Sequence, residues 1–197
     1  MTHERFINRD ISWLSFNHRV FQEAQDKTVP IIERFKFLGI FSNNRDEFFR
    51  VRVGTLRRIE KLGNKVKGLL EEDPTKILRE IQRITIQQEE NFKAVYENLL
   101  LELQEHNIFM INENGLNDEQ KVFVKHYFKQ NVLRTLVPIM LDTAPVFPEL
   151  KDSSIYLFIQ LVRKQEKKRS KLALIEIPTE LFSRFLILPD NDGRKNI

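Results

Sequence analysis

The residues best suited to binding chemistry lie in the segment FSNNRDEFF, which runs from residue 41 to residue 49. Asn43 and Asn44 carry amides, which both donate and accept hydrogen bonds, as the polar edge of a ligand requires. The carboxylates of Asp46 and Glu47 are adjacent, so on a helix they point in different directions. They suit a helix N-terminus better than a general acid–base pair. The segment therefore raises the possibility of an amide contact to a ligand.

Asn44 also has a purely local interpretation. Serine and asparagine prefer bonding to nearby backbone over a helix interior, so the Ser-Asn-Asn run predicts a break between two helices. Asn44 followed three residues later by Glu47 matches a capping box, which makes Asn44 the predicted N-cap of the helix that follows the break. The free N–H groups of such a terminus would themselves suit a polar or anionic ligand, so both interpretations can hold.

Other patterns with catalytic spacing are absent from the sequence. It has no Gly-rich phosphate loop, no GxSxG and no HExxH. The four histidines, His3, His18, His106 and His126, show no metal-ligand spacing. We therefore predict no catalytic residue and no metal site within these 197 residues.

Two basic stretches could contact phosphates. Arg50, Arg57, Arg58 and Lys61 fall near one face of a predicted helix, and RKQEKKRSK at 163–171 forms a charged connection. The second stretch has no aromatic residues that could stack on bases. Solvated surfaces are the preferred interpretation of both, with a phosphate or polyanion contact as the alternative.

Helical periodicity dominates residues 1–106. Asn8 or Asp10 can cap a first helix, in which Trp13, Phe16, Val20 and Ala24 form the predicted apolar stripe. A second helix follows Pro30. After the Ser-Asn-Asn break a third is predicted, its apolar face made of Phe48, Val51, Thr55, Ile59, Leu62 and Val66, ending near Gly63 or Gly68. Asp73 and Pro74 begin a helix of roughly thirty residues through Glu105.

The character of the sequence changes near Asn107. IFMI is suited to a short buried strand, and Asn117 with Gln120 predicts a capping box for one more helix. Three β-rich runs follow, SIYLFIQLV, KLALIEI and RFLIL, the first two joined as a hairpin. The predicted fold class is α+β: an all-α domain at 1–106, then the beginning of an α/β head domain with a small sheet at 107–197.

Composition limits the class of protein. With 41% hydrophobic and 30% charged residues, the chain has the composition of a soluble globular protein. No apolar run approaches the about 20 residues of a membrane-spanning helix, and cysteine is absent. We expect a cytoplasmic location, with peripheral membrane association left open. Few helices are available to cover the predicted sheet, so we expect a fragment of a longer protein.

Long motifs connect the chain to a known family. The strings FINRDISWLSFNHRVFQEAQD, VPIIERFKFLGIFSNNRDEFFRVRVG and LLLELQEHNIFMINE, with the later HYFKQ and LALIEIP, cover nearly the whole sequence. RDxSWLxFNxRV and SNNxDEF are the most specific of these patterns. The sequence resembles the N-terminal part of polyphosphate kinases.

The resemblance implies a four-domain enzyme that transfers the γ-phosphate of ATP reversibly to inorganic polyphosphate, requires Mg²⁺ and uses a phosphohistidine in a C-terminal half absent here. Mg²⁺ is expected to be bound mainly by those absent parts. Asn44 matches the nucleotide contact of the family. The head domain is expected to form a homo-oligomer, and no nucleic-acid partner is expected. Arg45 stands where leucine is common, and could alter contacts at the nucleotide.

Two other function classes stay open at this point. One is a non-catalytic helical interaction module, in which FSNNRDEFF serves only as a cap and no nucleotide is bound. The other is a basic nucleic-acid-binding module, whose affinity would fall steeply with salt.

Overall fold

The computed structural model describes residues 7–62, 73–163, 166–189 and 193–197. The chain divides into two compact units, Met1–His106 and Asn107–Ile197. Within the described ranges, the first unit contains helices and no strand, and a small sheet lies in the second unit. The predicted α+β fold class is confirmed.

The first unit is built from helices α1 (Arg9–Gln25), α2 (Ile31–Phe48), α3 (Gly54–Leu62) and α4 (Pro74–Glu105). Asn8 caps α1 by accepting hydrogen bonds from the backbone of Asp10 and Ile11. Asp73 caps α4 in the same way, with Pro74 in the first turn. The predictions of Asn8 as a cap and of a long helix after Asp73 are therefore confirmed, α4 having 32 residues.

The predicted helix break at residues 42–44 is wrong. α2 continues through all three residues and ends only at Phe48. Asn44 lies inside the helix and is not an N-cap, so the capping box with Glu47 does not form. A π-helical turn, Phe49–Val53, then joins α2 directly to α3.

The π-helical turn changes which residues of α3 face the core. Phe48 and Val53 are both buried although they are five residues apart, and Leu56 continues their face. Val51 and Leu62, predicted on the apolar face, are exposed. A π turn adds one residue to a helical turn, which shifts the periodicity of everything after it. The predicted helix end at Gly63 or Gly68, and Val66, lie outside the described residues.

Two apolar clusters form the core of the first unit. Their buried members are Leu14, Phe48, Val53, Leu56, Ile77 and Ile81 in one, and Phe21, Ala24, Leu38, Phe41 and Leu99 in the other. Along α1 the buried stripe is Leu14, Asn17, Phe21 and Ala24. Of the predicted stripe, Ala24 is buried and Trp13 and Val20 are partly buried against the two clusters, whereas the prediction of Phe16 is wrong, because its side chain is 61% exposed.

A buried arginine also joins the helices of this unit. The Nε of Arg34 donates to the backbone carbonyl of Ala24 at 2.9 Å, and its Nη1 donates to both carboxylate oxygens of Glu102. α1, α2 and α4 are thereby linked through one side chain.

The second unit begins with β1 (Ile108–Phe109) and α5 (Asp118–Tyr127). Asn117 and Gln120 form the predicted capping box, each side chain accepting from the other's backbone N–H. A π-helical turn (Phe128–Val132) and a short 3-10 turn (Leu133–Thr135) follow α5.

The main sheet contains β2 (Pro138–Met140), β3 (Ile155–Arg163) and β4 (Glu166–Ile177) in the antiparallel order β2-β4-β3. The predicted hairpin pairing of the first two β-rich runs is confirmed. β1 pairs in parallel with β5 (Lys195–Asn196). The IFMI strand is therefore present but short.

The third β-rich run is not a strand. RFLIL at 184–188 has no ladder, and of its apolar side chains Phe185 and Ile187 are exposed while Leu188 is buried. The third strand of the sheet is instead β2, a segment for which no strand was predicted. No described helix is long and apolar enough to cross a membrane.

Candidate functional site

A cleft of about 510 Å³ lies between α1 and the C-terminal end of α2 with the π-helical turn. This volume is within the range of small-molecule sites, roughly 300–1,000 Å³. Its polar lining is Arg9, Asp10, Asn44, Glu47 and Arg52, and its apolar lining is Trp13, Phe16, Phe48 and Val51. We call it the Asn44 cleft.

Asn44 is held in place by a second amide. Its Nδ2 donates to the Oδ1 of Asn17 at 3.0 Å, and the Nδ2 of Asn17 donates to the backbone carbonyl of Phe41 at 3.1 Å. Asn17 is 1% exposed. Because the Asn44 side chain has this partner 27 residues away, it does not compete for its own backbone, and α2 continues past it.

Aromatic rings form one side of the cleft. Trp13 and Phe48 stack with ring centroids 4.6 Å apart and an interplanar angle of 7°. Phe16, one turn from Trp13 on α1, leaves its side chain largely exposed in the same cleft. Flat apolar surfaces beside an amide are suited to a planar heterocycle, which stacks with its face and hydrogen-bonds with its edge.

The charged residues of the cleft differ in their partners. The Nε of Arg52 donates to the Oδ1 of buried Asp10 at 2.7 Å, so this carboxylate is already paired. Arg9 is exposed and makes no ion pair within the described part of the chain. The guanidinium of Arg9 is therefore available to an anionic ligand in the cleft.

Arg45 does not enter this cleft. Its guanidinium forms an ion pair with Glu89 of α4 and lies over the rings of Phe41 and Phe92, at 5.5 and 5.8 Å from their centroids. The expectation that Arg45 could alter contacts beside Asn44 is therefore not supported by its position.

The remaining predicted residues are not brought together. Glu47 lines the cleft, whereas Asp46 is exposed outside it. His106 and His126 are exposed, and His18 packs its ring against Phe21. No group of three or more His, Asp or Glu that could hold a metal ion is found in the described ranges.

The predicted basic stripe is divided in the structure. Arg57 lines a second cleft of about 390 Å³, together with Arg79 of α4. Arg50, Arg58 and Lys61 are exposed and line neither of these two clefts. The side chains of residues 163–169, and so the basic hairpin tip, lie outside the described part of the chain.

The sequence alone did not assign most of the lining residues to a site, nor did it identify Asn17, which lies behind the cleft and supports Asn44. The available signal was its position, because Asn17 falls at helical spacing between Leu14 and Phe21 on the buried stripe of α1. A polar side chain on such a face is retained only with a hydrogen-bond partner, and so indicates a specific contact.

Comparisons with known proteins agree on one family. Residues 6–111 match the family described as polyphosphate kinase N-terminal domain, and residues 119–197 match the polyphosphate kinase middle domain. The chain is 43% identical over 192 residues to polyphosphate kinase of Vibrio cholerae, and 37% identical over 195 residues to that of Escherichia coli K12. Each match covers 96% of this chain, and 26% and 27% of the respective relatives.

A solved structure gives the same result. The crystal structure of polyphosphate kinase from Porphyromonas gingivalis superposes with a TM-score of 0.80 at 30% identity. The superposition covers 99% of this chain and 28% of that protein. The chain therefore spans about a quarter of the length of the proteins it matches.

Proposed function

The chain belongs to the polyphosphate kinase family, and from this membership we propose that it supplies one wall of the ATP site of such an enzyme. The reaction proposed for the whole protein is reversible transfer of the ATP γ-phosphate to inorganic polyphosphate through a phosphohistidine. ATP, ADP and polyphosphate are the corresponding substrates and products. The main structural support for placing ATP here is the Asn44 cleft.

The cleft has the features that a purine base requires. Asn44 offers an amide to the polar edge of the base, and the exposed ring of Phe16 offers a face. A single amide and a partial wall do not offset the cost of association, so tight binding requires surfaces beyond this chain. Arg9 is placed to attract the negative charge of the nucleotide.

Mg²⁺ belongs to this proposal only through the nucleotide. Two carboxylates, of Asp10 and Glu47, line the Asn44 cleft, and Asp10 is already paired with Arg52. Magnesium prefers several oxygen ligands in octahedral geometry, which the described residues of the cleft do not provide. We therefore assign no magnesium ligand to this chain and derive no step through the ion.

Assembly as a homo-oligomer through the second unit is also a proposal. Large apolar side chains of this unit are exposed, among them Val146 at 77%, Phe147 at 63% and Phe158 at 62%. Exposed apolar side chains in such number favour contact with further protein surface. A cytoplasmic location is proposed from membership of the family.

A pair of alanine variants of the full-length enzyme tests the nucleotide role. Asn44→Ala removes the amide from the cleft, whereas Asn43→Ala removes an exposed amide at the neighbouring position of the same helix. Loss of a hydrogen bond to substrate is expected to raise the KM for ATP about five- to 150-fold in Asn44→Ala. Asn43→Ala should keep the wild-type KM. Equal KM values for the two variants would contradict the proposal.

A further inference from the structure

Two hydrogen bonds determine which atom of the Asn44 amide faces Asn17. The backbone carbonyl of Phe41 can only accept, so the atom of Asn17 that faces it at 3.1 Å must be Nδ2. The Oδ1 of Asn17 is then directed at Asn44. Since this oxygen can also only accept, the facing atom of Asn44 must be its Nδ2.

The acceptor of Asn44 is consequently left for another partner. Within the described part of the chain its Nδ2 is bonded to Asn17, and no hydrogen bond reaches its Oδ1. Asn44 is half-buried at the cleft, while Asn17 is almost fully buried behind it. Burial prevents Asn17 from exchanging its partners for water, so the orientation of both amides is locked.

We propose that Asn17 is a positioning residue, which holds Asn44 with its Oδ1 as the available acceptor and thereby selects purine nucleotides that carry an amine at position 6. This rests on the proposed function of the Asn44 cleft. Asn17 itself lies outside the lining of the cleft and acts through Asn44.

The selection follows from the hydrogen-bonding pattern of the two kinds of purine. Adenine presents an amine donor next to a ring-nitrogen acceptor, which matches an Oδ1 acceptor and the second hydrogen of Nδ2. Hypoxanthine presents an oxygen at position 6, which would face the Oδ1 of Asn44 as a second acceptor. Turning the Asn44 amide over would accommodate that oxygen, but would place two acceptors together at Asn17.

The test compares ATP with inosine triphosphate (ITP) in the full-length enzyme carrying Asn17→Leu. Leucine of similar size removes both hydrogen bonds and frees the Asn44 amide to turn. Because the nucleotide must then order a free side chain, the KM for ATP should rise about two- to tenfold with kcat nearly unchanged. The preference for ATP over ITP in kcat/KM should fall by about threefold or more.

Gln88→Leu is the matched control. Gln88 of α4 is also a buried amide, 7% exposed, and its Nε2 donates to the backbone carbonyl of Leu14. In the described part of the chain it makes no hydrogen bond to Asn17 or Asn44, and it does not line the cleft. Gln88→Leu should therefore lose stability without changing the ATP/ITP preference. If Asn17→Leu does not fold, Asn17→Ser replaces it, since a serine side chain is too short to join Phe41 and Asn44.

The outcomes separate the two proposals. A raised KM in Asn44→Ala with a wild-type ATP/ITP preference in Asn17→Leu overturns the positioning role and leaves the nucleotide role intact. A wild-type KM in Asn44→Ala overturns both. An equal loss of preference in Asn17→Leu and Gln88→Leu would indicate general loosening of the helices and also overturns the positioning role.

Discussion

Replacing Asn44 by aspartate distinguishes a helix N-cap from a residue inside a helix that donates a hydrogen bond to buried Asn17. As a cap, Asn44→Asp would be nearly silent in stability, because aspartate caps about as well as asparagine. The structure predicts a clear loss. The aspartate would direct a carboxylate oxygen at the Oδ1 of Asn17, where the wild-type amide donates at 3.0 Å.

The magnitudes follow from the same contact. Asn44→Ala leaves the buried Oδ1 of Asn17 without its donor, which costs about 1–3 kcal/mol, and regains about 0.5 kcal/mol of helix propensity. Asn44→Asp also removes the donor to Asn17 but regains less helix propensity than alanine does. It also adds repulsion between two acceptors and a like charge three residues before Glu47, worth about 0.2–0.5 kcal/mol. We expect the aspartate variant to be less stable than the alanine variant by about 1 kcal/mol.

Urea unfolding of the 197-residue chain, followed by fluorescence, measures this difference. Trp13 is the single tryptophan of the chain and lies in the same cleft as Asn44, so it reports on the first unit. Asn43→Asp is the control, because it adds the same charge at an exposed neighbouring position. If Asn44→Asp were as stable as Asn43→Asp and more stable than Asn44→Ala, the placement of Asn44 inside α2 would be refuted.

Three further predictions concern other parts of the chain. The backbone N–H of Thr28, and then its hydroxyl, lower the pKa of Asp26, so the Asp26–Thr28 contact stabilises the fold above the ordinary pKa of 3.8 and stops doing so as pH falls through the lowered value. Thr28→Val removes the hydroxyl and should raise the pKa of Asp26 in an NMR titration, and an unchanged pKa would contradict this assignment. Deleting Arg50 removes the extra residue of the π-helical turn and should lower the free energy of unfolding by less than about 1 kcal/mol. Deleting Glu90 from the middle of α4 turns Leu99 out of the core and should lower it by about 3 kcal/mol or more. Equal urea midpoints for the two deletion variants would contradict this prediction. The 197-residue chain incubated with ATP and Mg²⁺ should form no polyphosphate, and finding long polyphosphate would show that the chemistry needs no further domain.

Local patterns in the sequence predicted helix starts well and helix continuity badly. Asn8, Asp73 and Asn117 cap the helices that follow them, because a cap depends on a few adjacent residues. Asn44 has an equally good capping pattern and is not a cap. Its partner is 27 residues away on another helix, and no local pattern contains that information.

Prediction of the apolar helix faces is limited in the same way, because a sequence pattern does not show where a helix becomes irregular. Along α4, residues at regular helical spacing from Ile77 to Leu103 are buried or partly buried, since that helix is regular over 32 residues. After Phe48 the prediction failed because the π-helical turn adds a residue to the repeat. Asn44 itself was predicted as a nucleotide contact from family resemblance, whereas Trp13, Phe16 and Asn17 were assigned to the cleft or its support only by the structure.

Photolabelling of the full-length enzyme with 8-azido-ATP, followed by mass-spectrometric mapping of the adducts, tests most directly whether the Asn44 cleft holds the base. The azide is attached to the purine itself, so it labels what the base contacts. We predict label at residues 9–19 or 44–52 that is lost when unmodified ATP is added. ATP-protected label confined to segments outside both ranges would contradict the assignment of this cleft to the nucleotide.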